Sequence, residues 1–250
     1  MTETLTVPAN DIYLPRPATV LSKTLLTTRE MLFEIRLDSA QQLGHMPGQF
    51  VEVTVPGVGE APISVSCWPG REGVFELVVR RCGRVSDAMH NCPVGAKLGI
   101  RGPFGTHFPV DGAMRGRHVL FLAGGIGLAP LRSAIHYVLA NRQDYGEVTI
   151  LYGTKSPAER LFLEELADWA SRSDVTFLET VDQADAGWKG HVGVITKLIP
   201  AAWIAARRPV VVACGPPVMY KFVVVSLYAA EVPDDSIYVS LERRMKCGVG

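Results

Sequence analysis

Up to about residue 112 the apolar positions come in short runs, several of them alternating with polar ones: 17–24, 31–37, 49–55, 63–67, 74–80 and 97–101. The runs are rich in β-branched residues and are separated by Pro47-Gly48, Pro56-Gly57 and Pro69-Gly70. A period of two between turn residues predicts strands, and six short strands in succession suggest a small antiparallel barrel. From Arg117 onward the pattern changes. Runs at 119–122, 148–152, 175–179, 210–213 and 237–240 alternate with helical stretches, and the most continuously apolar of them read as strands buried on both faces. Strands alternating with helices predict a doubly wound parallel sheet. The expected fold is therefore a β-barrel followed by an α/β domain, with 111–116 as the link. Ser156, Pro157 and Glu159 combine an N-cap, a first-turn proline and an acid three residues after the cap, which predicts a helix starting there.

Two runs of the second half end abruptly in glycine and proline. Gly124-Gly125-Ile126-Gly127-Leu128-Ala129-Pro130 follows the first strand and Cys214-Gly215-Pro216-Pro217 follows the fourth. Ligands of such sheets bind beyond the carboxyl ends of the strands, where helix N-termini offer N–H groups to a phosphate. Gly124, Gly125 and Gly127 would let the backbone approach a pyrophosphate, and Pro130 suits the first turn of a helix. Read alone, this is equally a structural turn, since it is not G-x-G-x-x-G and Tyr152-Gly153-Thr154 stands where an acid usually holds a ribose. Cys214, at the edge of the same sheet, reads either as a small buried hydrophobe or as a thiol beside a reacting ring.

In the barrel half, Arg80-Arg81-Cys82-Gly83-Arg84-Val85-Ser86 places paired arginines, a glycine and a hydroxyl before a helical stretch. That arrangement is a phosphate cradle or a solvated basic turn. Charge adds an exclusion: 25 basic and 25 acidic residues cancel, which does not favour nucleic acid or an acidic membrane as partner. No apolar run reaches the roughly 20 residues of a membrane span. With no secretory pattern at the start and five scattered cysteines, a cytoplasmic protein with reduced thiols is expected.

The ordered set Pro62-Ile63-Ser64, Gly83 to Ser86, Gly102-Pro103-Phe104-Gly105, Gly124 to Leu131 and Cys214-Gly215-Pro216-Pro217 resembles the ferredoxin–NADP reductase superfamily. Within it the chain is most similar to dihydroorotate dehydrogenase electron-transfer subunits and sulfhydrogenase gamma subunits. The resemblance implies an FAD-binding barrel over 10–112 and an NAD(P)-binding domain over 113–238. It assigns Pro62, Ile63 and Ser64 to the flavin motif, with Ser64 by the reacting edge of the ring. Arg80, Gly83, Arg84 and Ser86 would hold the pyrophosphate of FAD. Gly124, Gly125, Gly127 and Pro130 match the nicotinamide-dinucleotide turn, and Cys214, Gly215 and Pro216 the motif flanking the nicotinamide. Ala61 and Ile63 depart from the phosphate-binding Arg and stacking Tyr of many relatives.

The implied function is that of an electron-transfer oxidoreductase subunit working between NAD(P)H and an iron–sulfur partner through FAD. Its partner would be the catalytic or iron–sulfur chain of a hydrogenase-like or dihydroorotate dehydrogenase-like hetero-oligomer. Residues 239–250, with Cys247, look like the opening of a loop that binds a 2Fe-2S cluster through four cysteines, so a cluster is expected only in a longer natural chain. NAD is expected ahead of NADP, with modest discrimination. The rivals are a stand-alone flavin or ferredoxin reductase and a flavin-free regulatory module of the same fold.

Overall fold

The computed structural model describes residues 12–69 and 73–241. The first half forms strands β1 (Arg16–Leu25), β2 (Glu30–Leu37), β3 (Phe50–Val55), β4 (Gly59–Ser64), β5 (Val74–Arg80) and β6 (Lys97–Phe104), with helix α1 (Arg84–Asn91) between β5 and β6. The strands pair antiparallel in the order β4-β3-β6-β1-β2-β5. A bridge between Val65 and Leu77, with the Ser66 N–H donating to the Glu76 carbonyl at 2.8 Å, joins the two ends of the sheet and makes it a barrel. Alternate positions, among them Val20, Phe33, Ile35, Val51, Val53, Phe75, Leu77 and Ile100, fill its interior. Met89 of α1 is fully buried among them, and the His90 ring bonds the Val79 carbonyl at 2.8 Å, so α1 caps the barrel.

The second half forms β7 (Val119–Gly124), α2 (Leu128–Ala140), β8 (Val148–Thr154), α3 (Leu163–Ser171), β9 (Val175–Val181), β10 (His191–Val192), α4 (Ala201–Arg207), β11 (Val210–Cys214), α5 (Pro217–Ala229) and β12 (Ile237–Val239). All six strands run parallel in the order β10-β9-β8-β7-β11-β12. Val119, Phe121, Ala123, Val210, Val212 and Cys214 face a core with α2 and α3. Leu120, Leu122, Val211 and Ala213 face the opposite core with α5. Both faces are covered, which is why β7 and β11 are apolar at every position. Helix α5 is apolar on most of its circumference, interrupted by Lys221 and Ser226. Met219, Val223 and Leu227 are buried, while Val218, Phe222, Val225 and Tyr228 form an exposed stripe at helical spacing.

Two local readings change, and two further features add to what the sequence shows. Residues 157–159 make one 3-10 turn, and α3 starts only at Leu163, after Phe162 at φ 53°. The break has a tertiary cause. Leu161 and Phe162 are buried, the Leu161 N–H donates to the Tyr152 hydroxyl at 3.2 Å, and Arg132 stacks over the Phe162 ring at 4.4 Å. Strand β4 lies earlier than the apolar run 63–67, because it pairs with β3 across a short hairpin. Pro62 is tolerated there because β4 ends the row of full strand pairings. The two-residue β10 carries too little pattern to be read. The link 111–116 is built of turns, with Met114 fully buried in the α/β core together with Phe108 and Val110.

Arg132 of α2 joins the two halves. The residue is 7% exposed, and its guanidinium pairs with Glu76 of β5, donates to the Ser66 carbonyl at 3.1 Å, and binds Glu165 of α3 through Nε (2.9 Å) and Nη2 (2.6 Å). His136 completes the group at 2.9 Å from Glu165. Burial would push the Glu165 carboxyl up, but hydrogen bonds from His136 and Arg132, with the arginine's charge, outweigh it and hold the group down at about 2.

This clasp predicts a pH signature. A carboxyl depressed in the fold stabilises above its unfolded pKa of about 4.3 and loses that contribution as pH falls through the folded value. Glu165→Gln should therefore cost about 3 kcal/mol at pH 7, and the gap to wild type should close as pH drops from about 4 toward 2. Arg132→Ala should cost about 3–5 kcal/mol at neutral pH, because Glu76 is left buried without its cation. Denaturant titrations across pH check both.

Candidate functional site

The sheet order puts its reversal at β7, since the chain leaves β7 toward β8, β9 and β10 and returns to lay β11 on the other side. At such a switch point the loops leaving the carboxyl ends diverge and open a crevice. Ala123 pairs with Cys214, so the loops that diverge here are the two glycine-rich turns read from the sequence. Gly125–Gly127 forms one 3-10 turn that runs directly into α2.

The three glycines of that turn have different tasks. A Cβ on Gly124 would stand 2.9 Å from Pro216 Cδ and strike Met219 Sδ; one on Gly127 would be driven into the Cys214 carbonyl and lie 2.7 Å from the Gly215 nitrogen. Gly124 and Gly127 therefore admit the neighbouring loop, a packing role that the sequence did not reveal. Gly125 sits at φ 53° and has nothing within 4 Å of its missing side chain, so the turn presents open backbone there. Pro130 is buried in the first turn of α2.

Cys214 ends β11 and is 4% exposed, with its Sγ 3.9 Å from the Ser240 carbonyl. The Gly215 N–H donates to the Tyr220 hydroxyl at 3.1 Å, and that hydroxyl donates to the same Ser240 carbonyl. At the ends of β8 and β9 the Asp182 N–H donates to the Thr154 carbonyl at 2.9 Å, and Gln183 to that of Lys155 at 2.8 Å. An acid thus closes the strand beside the one where sequence reasoning looked for it. Only the pairing of β8 with β9 reveals that neighbour.

In the barrel, Arg80, Gly83, Arg84 and Ser86 come together at the start of α1. Gly83 caps the helix with extended backbone and has nothing within 4 Å of a would-be Cβ. The Ser86 hydroxyl accepts from the Cys82 and Gly83 N–H groups, each at 2.9 Å, and donates to the Gly83 carbonyl at 2.9 Å. It therefore shapes the turn at the start of α1. Arg80 pairs with the buried Glu30 yet keeps 36% of its side chain in solvent, and Arg84 donates to the Val58 carbonyl at 2.9 Å. An open glycine at a helix N-terminus between two arginines fits a diphosphate.

β4 lies alongside α1: a Cβ on Gly59 would be 3.3 Å from Val85. Ile63 pairs with Val51 and packs against the barrel core, Pro62 pairs with Glu52, and Ser64 ends the strand opposite Phe50. The turn 102–105 lies close by: Phe104 packs on Phe50 with ring centroids 6.0 Å apart, and Gln49 donates to the Gly105 carbonyl at 2.9 Å. A shallow depression of about 390 Å³, lined by Trp68, His136, Glu165, Trp169 and Arg172, shares no residue with these sites. Cys247 lies outside the described residues. Among the described residues no three His, Cys, Asp or Glu side chains could hold a metal, and no helix is long and apolar enough to cross a membrane.

Comparison with known proteins agrees with this geometry. Residues 17–108 match the family described as Oxidoreductase FAD-binding domain, and residues 121–224 the one described as Oxidoreductase NAD-binding domain. The chain is 38% identical over 250 residues to the Sulfhydrogenase 1 subunit gamma of Pyrococcus furiosus, covering 98% of this chain and 85% of that protein. It is 33% identical over 205 residues to a probable dihydroorotate dehydrogenase B (NAD(+)) electron transfer subunit of Methanocaldococcus jannaschii, covering 82% of this chain and 70% of that one. Among solved structures, a ferredoxin reductase in carbazole 1,9a-dioxygenase superposes with a TM-score of 0.78 at 24% identity, covering 90% of this chain and 68% of that one. An Amycolatopsis cytochrome P450 reductase gives 0.77 at 26%, covering 91% and 68%.

The glycine analysis yields a contrast testable without any ligand. Gly127→Ala forces backbone apart where the two loops touch, and should lower the melting temperature sharply or prevent folding. Gly125→Ala meets open space and incurs only the left-handed backbone cost of about 1–2 kcal/mol. Thermal melts followed by circular dichroism separate the two; equal losses would mean that the loops are not in contact.

Proposed function

Because the chain belongs to the ferredoxin–NADP reductase family of FAD- and NAD-binding oxidoreductases, we propose that it is the electron-transfer subunit of a redox complex, passing electrons between NAD(P)H and an iron–sulfur partner chain through FAD. The observation that carries this reading is the meeting of Gly124-to-Gly127 and Cys214-to-Pro216 at the switch point. The chain's likeness to a sulfhydrogenase gamma subunit along 98% of its length supports it. We place the FAD-binding domain over 10–112 and the NAD(P)-binding domain over 113–238. A dinucleotide-dependent subunit of this kind works in the cytoplasm.

When bound, FAD exchanges hydride with the nicotinamide and releases electrons singly, and the protein's task is to hold, orient and shield. Arg80, Arg84 and the amides at the start of α1 hold the diphosphate of FAD, and Ser86 keeps those amides in place. Ile63 offers the flavin an aliphatic face where many relatives offer an aromatic one, and Ser64 stands at the reacting edge. The open backbone at Gly125 and the start of α2 take the diphosphate of the nicotinamide nucleotide. Cys214, Gly215 and Pro216 wall off the nicotinamide, the buried thiol filling space from which water must be kept. Asp182, beside Thr154 and Lys155, puts a carboxylate near the adenosine end of that site, in keeping with NAD ahead of NADP.

The purified protein should be yellow or become so with added FAD, and NADH should bleach it without oxygen. Cys214→Ala should keep its FAD and lose roughly ten- to a hundredfold in single-turnover flavin reduction, as expected when only the geometry of the reacting pair is disturbed. Protein that neither binds nor quenches added FAD would overturn the assignment. Isolation from its own cells with no iron–sulfur chain attached would make it a stand-alone reductase instead.

A further inference from the structure

None of the roles assigned above uses Tyr220, although its hydroxyl makes two bonds at the edge where those roles converge. It is the fourth residue of α5, and helical side chains lean toward the N-terminus of their helix, so the phenol reaches back over the loop that precedes it. There it accepts the Gly215 N–H at 3.1 Å and donates to the Ser240 carbonyl. Ser240 is itself fixed to β11, through its N–H to the Ala213 carbonyl at 3.1 Å, and its carbonyl lies 3.9 Å from Cys214 Sγ. The peptide between Cys214 and Gly215 is thus held from two sides. Gly127 blocks its carbonyl side by contact, and Tyr220 binds its N–H side.

We infer that Tyr220 is a positioning residue for hydride transfer: its hydroxyl fixes the Cys214–Gly215 peptide, and with it the Cys214 thiol, by tying that peptide to the residue that follows β12. The inference rests on the nicotinamide reading of this loop given above. Both functions of the hydroxyl are needed, one to accept and one to donate, and phenylalanine keeps the ring while supplying neither. Without the tie the peptide keeps its contacts with Gly127 and Gly124 and its strand pairing with Ala123, but loses the bond that fixes its N–H. Small displacements of a wall beside reacting atoms carry large rate penalties.

The test is Tyr220→Phe in the full chain with FAD bound. The limiting rate of flavin reduction by NADH should fall about tenfold, with the half-saturating NADH concentration changed less than twofold, since the loop binds as before but holds the ring less well. Two readouts need no turnover. In apoprotein, amide exchange at Gly215 should quicken about tenfold, and Cys214 should be alkylated faster by iodoacetamide, with the exposed Cys82 as internal reference. Unchanged Gly215 exchange together with an unchanged limiting rate overturns the inference, as does a variant altered in melting temperature alone. If wild-type protein fails to bind NADH at all, the nucleotide reading falls; faster Gly215 exchange in the variant would then still establish the tie.

Discussion

Arg132 is a cation buried between two sheets that share no hydrogen-bonded strand, and most of the site's geometry depends on its being satisfied from both. A guanidinium removed from water must find acceptors in fixed directions, and here they come from β5, from the Ser66 carbonyl and from α3. Its planar fork allows little slack, so the clasp fixes the angle between barrel and α/β half as well as their distance. A second, lighter link has the same sense: the Gly48 N–H donates to Ser133 Oγ at 3.2 Å, one residue along α2. Helix α2 is therefore anchored at its start by the turn that follows β7 and near its middle by the barrel. A nucleotide held at the start of α2 inherits its position relative to the flavin side from these anchors.

The carboxyl edge depends on a different constraint, the absence of side chains. Gly124 and Gly127 let two loops touch backbone to backbone, which brings the Cys214 carbonyl against the turn and leaves Gly125 as the open point. The contrast among the three glycines of one turn separates structural need from ligand access. Two glycines of the motif are thus required by the loop across the crevice.

Fully buried strands announce themselves by unbroken apolar runs, so β7 and β11 were legible, as were β8, interrupted only by Thr149 within 148–152, and most of the barrel's alternating strands. Short-range signals failed where distant partners decide. The capping pattern at Ser156 was sound chemistry, yet burial of Leu161 and Phe162 and the demand of Arg132 for an aromatic face moved the helix onward. Glu60, Ala61 and Pro62 have little strand preference and are strand only because β3 pairs with them. The site motifs were visible as clusters of glycine, proline and arginine, but not the division of labour within them. Ser86 also bonds the backbone of its own turn, which its sequence position did not reveal, and Tyr220 looked like an ordinary helical aromatic because its partners, Gly215 and Ser240, meet only in the folded sheet.

Helix α5 bears on how the molecule behaves in bulk. Val218, Phe222, Val225 and Tyr228 leave an oily ridge facing water on a chain whose formal charge is zero at pH 7. Net charge normally supplies the long-range repulsion that keeps such ridges from meeting, and near neutrality this protein has none to spare. Lyotropic salts such as sulfate strengthen apolar attachment by their exclusion from protein surface. Colloidal stability should therefore be lowest at neutral pH in sulfate and recover a unit or two of pH away, for reasons that have nothing to do with folding.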